Sequence, residues 1–223
     1  MDIHKPKPWH GWREFLKEYV IIVVGVLTAL AGEQLVETIH RNTELAETRE
    51  ALREEIAHNA GIVAYGVARD VCGQARDKQL TVWANGGPKP GPTPTAGPNQ
   101  LAFDAWDVAK AGPLGKMPVK DRLTYSRVYD TFVVQQLNLN NQINDGLDMV
   151  QYTSLDRLAP NQAQRLIELM NRMRVIRSTK ALNAVAILSS VKAMGIQPTP
   201  VPEGARASLD DACRNAGIPT PTP

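Results

Sequence analysis

Aromatic side chains make up only 5% of this 223-residue chain. The alternation of β-branched and polar residues that marks strands is scarce, so a sheet-built core is excluded as the main architecture. Histidine is rarer still: His4, His10, His40 and His58 share no metal-ligand spacing. His40 and His58 fall 18 residues apart on one expected helix, about 27 Å along its axis, too far to hold one ion. Cys-x-x-Cys, His-Glu-x-x-His, Gly-x-Ser-x-Gly and a glycine-rich phosphate loop are all missing. Gly112-Pro-Leu-Gly115 is a turn rather than a phosphate cradle, because its proline lacks an amide donor. Net charge is only +2 and the basic residues are interspersed with acidic ones, so no nucleic-acid partner is expected. Proline is absent from residues 33 to 83, which leaves that stretch free to run as one helix.

What the chain does have is Tyr19-Val-Ile-Ile-Val-Val-Gly-Val-Leu-Thr-Ala-Leu-Ala-Gly32, an uncharged run bracketed by Glu18 and Glu33. Its 14 residues span about 21 Å as helix. Phe15, Leu16, Leu35 and Val36 extend it toward the ~20 residues a bilayer core requires. Trp9, Trp12 and Tyr19 sit where an interfacial aromatic belt would lie. Lys5, Lys7, Arg13 and Lys17 precede the run, whereas only Arg41 and Arg49 follow within a comparable length. The positive-inside rule then predicts a cytoplasmic N-terminus, with the bulk of the chain beyond the membrane. Two other readings stand beside the retained anchor. Ala29-Leu30-Ala31 before Gly32 resembles a signal-peptidase site, and a short apolar run can also be the buried helix of a soluble protein. Gly25, Thr28, Ala29 and Gly32 recur at i, i+3, i+4 and i+7, a small-residue stripe on which a second membrane helix could pack.

Abundant Ala, Leu, Glu, Gln and Arg favour helix, and the expected fold is all-α. A cytoplasmic tail (1–14) leads into a transmembrane helix (15–36). That helix continues into a helical bundle (37–195) with a Pro-rich loop at 85–99, followed by a Pro-rich tail (196–223). The first helix should run to about Trp83 with the stripe Leu45, Leu52, Ile56 and Val63; Asn59 and Gly66 interrupt a strict heptad. A short helix with Phe103 and Trp106 should span 101–111. A second long helix, 119–155, carries Tyr125, Val128, Tyr129, Phe132, Leu139, Ile143, Leu147 and Val150. The third starts at Pro160 and runs to Ala193 with Leu166, Met170, Met173, Ile176, Ala184, Ile187, Val191 and Met194, and Gly195 is its natural end. The turn at 154–160 makes the last two antiparallel neighbours. A final short helix at 207–216 carries Cys213.

The chain's chemistry is sparse. Asp104, Asp107, Asp145, Asp148, Asp210 and Asp211 have no basic partner suited to acid–base work and read as solvated surface. Trp106, Tyr125 and Tyr129 could border a ligand pocket between helices, although core packing with hydroxyls at the rim is the competing reading. Cys72 and Cys213 would pair if the domain is exported; closing a loop of about 140 residues would contribute on the order of 5 kcal/mol in the chain-entropy model. The alternative is two unrelated thiols. No nucleophile–base or metal set is visible, so neither enzymatic activity nor a cofactor is expected.

The segment His10-Gly-Trp-Arg-Glu-Phe-Leu-Lys-Glu-Tyr-Val-Ile-Ile-Val-Val-Gly-Val-Leu-Thr-Ala-Leu-Ala-Gly-Glu-Gln-Leu-Val-Glu37 resembles an uncharacterised bacterial family of single-pass membrane proteins. The family is frequent in alphaproteobacteria, and its members open with Trp-Arg-Glu-Phe before a Gly-Val-Leu-x-Ala-Leu membrane helix. Glu50-Ala-Leu-Arg-Glu-Glu-Ile56, Asn59, Cys72 and Tyr125-x-x-Val-Tyr129 fit the same pattern more loosely. The resemblance implies an anchored, extracytoplasmic helical domain and no particular activity. Together these readings predict a protein of the bacterial inner membrane with a periplasmic bundle. It would contact the bilayer and another membrane protein or a second copy of itself, as a structural or accessory subunit. The alternative is a periplasmic small-molecule sensor or binding module without its own effector domain.

Overall fold

A computed structural model of the chain describes residues 11–91 and 99–221; Trp9, the two N-terminal histidines and residues 92–98 of the Pro-rich loop lie outside them. Among the described residues every element is helical: α1 (Trp12–Ala84), α2 (Asp104–Ala111), α3 (Pro113–Lys116), α4 (Val119–Thr153), α5 (Pro160–Ala193) and α6 (Glu203–Asn215). The chain divides into two compact units, Met1–Glu47 and Thr48–Pro223.

In the first unit, every residue from Gly11 to Thr43 is exposed except the half-buried Val23. This part of α1 is long and apolar enough to cross a membrane, and none of its apolar span is buried. The reading of the run as an internal helix of a water-soluble core therefore does not fit. Trp12, Phe15 and Tyr19 form a ladder of rings with centroids 6.0 and 6.4 Å apart, as i, i+3 and i+4 spacings dictate.

The second unit is a bundle whose seams keep a strict alternation of three- and four-residue steps. On α1 the inward positions are Leu52, Ile56, Asn59, Val63, Gly66, Asp70, Gly73, Asp77 and Leu80, all buried or half-buried. The register therefore runs straight through Asn59 and Gly66, which the sequence suggests are interruptions. Tyr125, Val128, Phe132, Gln135, Leu139, Gln142, Gly146 and Met149 form the matching seam on α4, and Leu166, Met170, Met173, Arg177, Lys180, Ala184, Ile187 and Val191 that on α5. Helix directions follow from the bonds between these seams. Glu55 meets Tyr129 and Asp70 meets Gln142, so α1 and α4 run in parallel. Lys180 meets Asp70, whereas Arg177 meets Asp77, so α5 runs against both.

Sequence punctuation sets the ends of α5. Pro160 supplies a pre-set φ at its first position, and the Gln162 side chain accepts the Ala159 amide at 2.8 Å. Gly195, at φ +66°, adopts the left-handed turn that lets the Ile196 amide reach Val191 O at 3.1 Å. Helix α2 has no cap from its own chain neighbours. Instead Glu55 of α1 accepts the amides of Ala105 at 2.8 Å and Trp106 at 3.2 Å, which satisfies donors at its N-terminus and places a carboxylate at its positive pole. Asn59 grips Ala102 through both backbone groups, each at 2.8 Å.

The C-terminal tail folds back over α1. The Thr199 amide donates to Ala57 O at 2.9 Å, and a Cβ at Gly61 would collide with the Thr199 carbonyl, so the crossing requires glycine. Helix α6 then seats Ala205, Leu209 and Ala212 against Tyr65, Ala68 and Cys72. Cys72 and Cys213 are disulfide-bonded, with Cα atoms 4.8 Å apart across 141 residues of sequence.

Candidate functional site: a charged cavity inside the bundle

Three glycines occupy seam positions on facing helices: Gly66 and Gly73 on α1 and Gly146 on α4. Glycine contributes no side-chain volume to a core that is otherwise close-packed, and a cavity of about 420 Å³ opens where they meet. A Cβ added at Gly66 or Gly146 would find no atom within 4 Å. At Gly73 the missing side chain is replaced by the Arg177 guanidinium, whose atoms lie 3.0–3.2 Å from where a Cβ would stand.

One side of the cavity is ionic. Lys180 donates to Asp70 Oδ2 at 2.8 Å and also to Gln142. Arg177 donates to Asp77, and its Nε lies 3.7 Å from Asp70. Arg69 donates to the Tyr65 hydroxyl at 3.0 Å, and Arg76 to the carbonyl of Gly91. The opposite side is apolar, with Leu139, Ile143, Leu147 and Val150 of α4 facing Leu80 and Met173.

Burial dominates the titration of this cluster. It raises the Asp77 carboxyl above its ordinary value, against the pull of Arg177. It lowers Lys180, against the pull of Asp70, and lowers Arg76, against that of Asp77. Ion pairing inside a protein often fails to repay desolvation in full, and each of these shifts has that sign. The cations also outnumber the carboxylates. Arg69, Arg76, Arg177 and Lys180 border the cavity against only Asp70 and Asp77, and Arg76 Nη1 and Arg177 Nε are buried without a hydrogen-bond partner among the described residues.

Trp106, Tyr125 and Tyr129 do not border this cavity. They are buried at 8%, 7% and 0% exposure, and the Trp106 and Tyr129 rings stack at 4.4 Å with Phe132 edge-on to Tyr129 at 5.8 Å. The Tyr129 hydroxyl donates to Glu55 at 2.7 Å. Gly25, Thr28, Ala29 and Gly32 are exposed in the first unit, Thr28 bonding only back to Val24 O at 2.8 Å. Asp145 departs from the solvated-surface expectation: it is 7% exposed and bonds Arg172 through both carboxylate oxygens.

Sequence reasoning missed Asp70, Asp77, Arg177 and Lys180, yet a signal was present. The apolar stripe of α5 skips from Met173 or Ile176 to Ala184, and Arg177 and Lys180 fill that gap at the correct steps of four, three and four. Compared with protein-family models, with curated proteins and with solved structures, the chain matches none.

Proposed function

We propose that this protein is a non-enzymatic small-molecule-binding module anchored in the bacterial inner membrane, its N-terminus cytoplasmic and its bundle periplasmic. The observation that carries the reading is the cavity itself: glycines hold open a space between three helices and charged groups converge on it. Small-molecule sites characteristically combine apolar walls with a few convergent polar groups between the helices of a bundle. The Cys72–Cys213 bond supports an oxidising compartment, and the basic residues before the apolar run support the orientation. The test is thermal unfolding of the full chain in lipid nanodiscs against a panel of small metabolites, for the native sequence and for Gly146→Leu. Compounds that raise the melting temperature of the native protein but not of the variant support the reading; a native protein shifted by none of them ends it. Protease treatment of spheroplasts tests the orientation, since a periplasmic bundle is cleaved without lysis.

A second reading, that the protein is an accessory subunit of another membrane protein or self-associates, is favoured by the first unit. There Gly25 and Gly32 face open space, so a close helix approach is sterically free. Co-purification that persists in Gly25→Leu with Gly32→Leu would remove the idea that a partner packs on this stripe within the bilayer.

A further inference from the structure

We infer that the cavity takes an amphiphile with one oxyanion head and a short apolar body, the oxyanion seated on Arg76 and Arg177. The inference rests on the proposed binding role and names the ligand's chemistry.

Three features point to an anion. The cavity lining holds four cations against two carboxylates, a surplus of two positive charges. Lys180 spends its bonds on Asp70 and Gln142, and Arg177 directs its terminal nitrogens to Asp77. What is left over at the cavity is all of one kind: the buried Arg76 Nη1 and Arg177 Nε are both guanidinium donors, while the unpartnered acceptors Gln79 Oε1 and Gln135 Oε1 belong to residues outside the lining. A buried cationic donor without an acceptor is strongly unfavourable, and a carboxylate or phosphate oxygen satisfies both its charge and its hydrogen bond. A neutral hydroxyl would satisfy only the bond, and an ammonium neither.

The remaining walls set the rest of the ligand. Leu139, Ile143, Leu147 and Met173 make most of that surface apolar, with Asn99 and Thr153 as its polar members, so the body is largely hydrocarbon. The volume of about 420 Å³ falls at the small end of ligand pockets, roughly 300–1,000 Å³, which suits a single chain of medium length. Carboxylate and phosphate heads share the required chemistry and are separated by the test.

Octanoate, octyl phosphate, 1-octanol and octylammonium are titrated calorimetrically into the full chain in phosphatidylcholine nanodiscs, with empty nanodiscs subtracted. At least one of the two anions is expected to bind at least about tenfold more tightly than octanol, and octylammonium not at all; the tighter anion tells whether the source is a free carboxylate or a phosphate head. Arg76→Gln is expected to weaken anion binding about tenfold or more, as loss of one charged hydrogen bond does, while octanol is unaffected. Gly146→Leu fills the cavity and suits the helix better than glycine, so binding should vanish while the melting temperature holds; Gly66→Val replaces it if that variant fails to fold. Octanol binding as tightly as both anions, yet lost in Gly146→Leu, overturns the oxyanion inference and leaves the binding role standing. No binding by any probe, or binding unchanged by filling the cavity, overturns both.

Discussion

Helix α1 passes through two regions that use the same residue types in opposite ways. Before Thr43 its valines, leucines and isoleucines point outward on every side, and no residue is buried. From Thr48 onward apolar residues are drawn inward at steps of three and four, and polar ones are drawn in with them: Asn59 and Asp70 are 0% and 8% exposed. A helix that is apolar on every side is stable only where water is excluded, in a membrane or against other protein. A seam that admits Asp and Asn needs partners of matching chemistry, which Gln142 of α4 and Lys180 of α5 supply for Asp70 and the Ala102 backbone for Asn59. Both regions are helical; what differs is whether the apolar pattern has a period.

The sharpest way to break this comparison is to place charge on exposed aliphatic residues of both regions. Val24 and Leu27 are 54% and 59% exposed, Val67 and Val71 38% and 44%. Changing Val24 and Leu27 to Arg should cost about 6 kcal/mol of membrane insertion, at ~3 kcal/mol per arginine near the helix centre, and shift the protein out of the carbonate-resistant membrane fraction. The same change at Val67 and Val71 should leave urea unfolding within about 0.5 kcal/mol. Equal effects on both pairs would mean that the two exposed surfaces share one solvent.

Much of this was legible from the residues, for reasons that also explain what was not. Pro118, Pro160 and Gly195 act through the backbone alone, so helix ends within a few residues of α4 and α5 follow from local chemistry. The Cys72–Cys213 pair was legible because only two cysteines exist. The cavity was not. Reading charged residues as solvated surface removed Asp70, Arg177 and Lys180 from the core, and each is buried because another helix supplies its counter-ion. Those partners stand 110 and 107 residues away (180 − 70 and 177 − 70), beyond any local pattern. The aromatic residues follow the packing alternative: Trp106 stacks on Tyr129, and both are buried.

The disulfide sharpens the comparison at the second unit alone. Replacing Cys72 and Cys213 with Ala should lower its unfolding free energy by up to about 5 kcal/mol, the chain-entropy value for a loop of this length. The first unit's membrane retention should not change. A smaller effect follows at the ionic face. Lys180, with 4% of its side chain exposed, bonds the 11%-exposed Asp70, so Lys180→Met leaves a carboxylate short of compensation and should cost about 3 kcal/mol by urea unfolding. Lys17→Met, in the exposed first unit, should leave the bundle's midpoint unmoved. Near-equal midpoints for Lys180→Met and the native chain would show that Arg177, 3.7 Å from Asp70, compensates it unaided.

The smallest expected effect separates two tyrosines. Tyr19 is 57% exposed, whereas Tyr129 is fully buried and donates to Glu55 at 2.7 Å. Tyr19→Phe should leave the bundle unchanged at neutral pH, and Tyr129→Phe should cost about 1.5–2 kcal/mol, the low end of the range for a hydrogen bond to a charged group. Glu55 would keep the Ala105 and Trp106 amides, which limits the loss. Burial first, and then the hydrogen bond to Glu55, hold the Tyr129 phenol above its ordinary value of 10.0. The folded chain therefore keeps this proton where the unfolded chain releases it. A raised acid contributes stability that is fully present below the unfolded value and is lost as pH rises past it. The gap between native and Tyr129→Phe should stay constant up to about pH 10 and then close by about 1.4 kcal/mol per pH unit. A gap that holds level through pH 11 would mean that Tyr129 ionises as readily in the folded bundle as in the open chain, and that the Glu55 cradle is wet rather than buried.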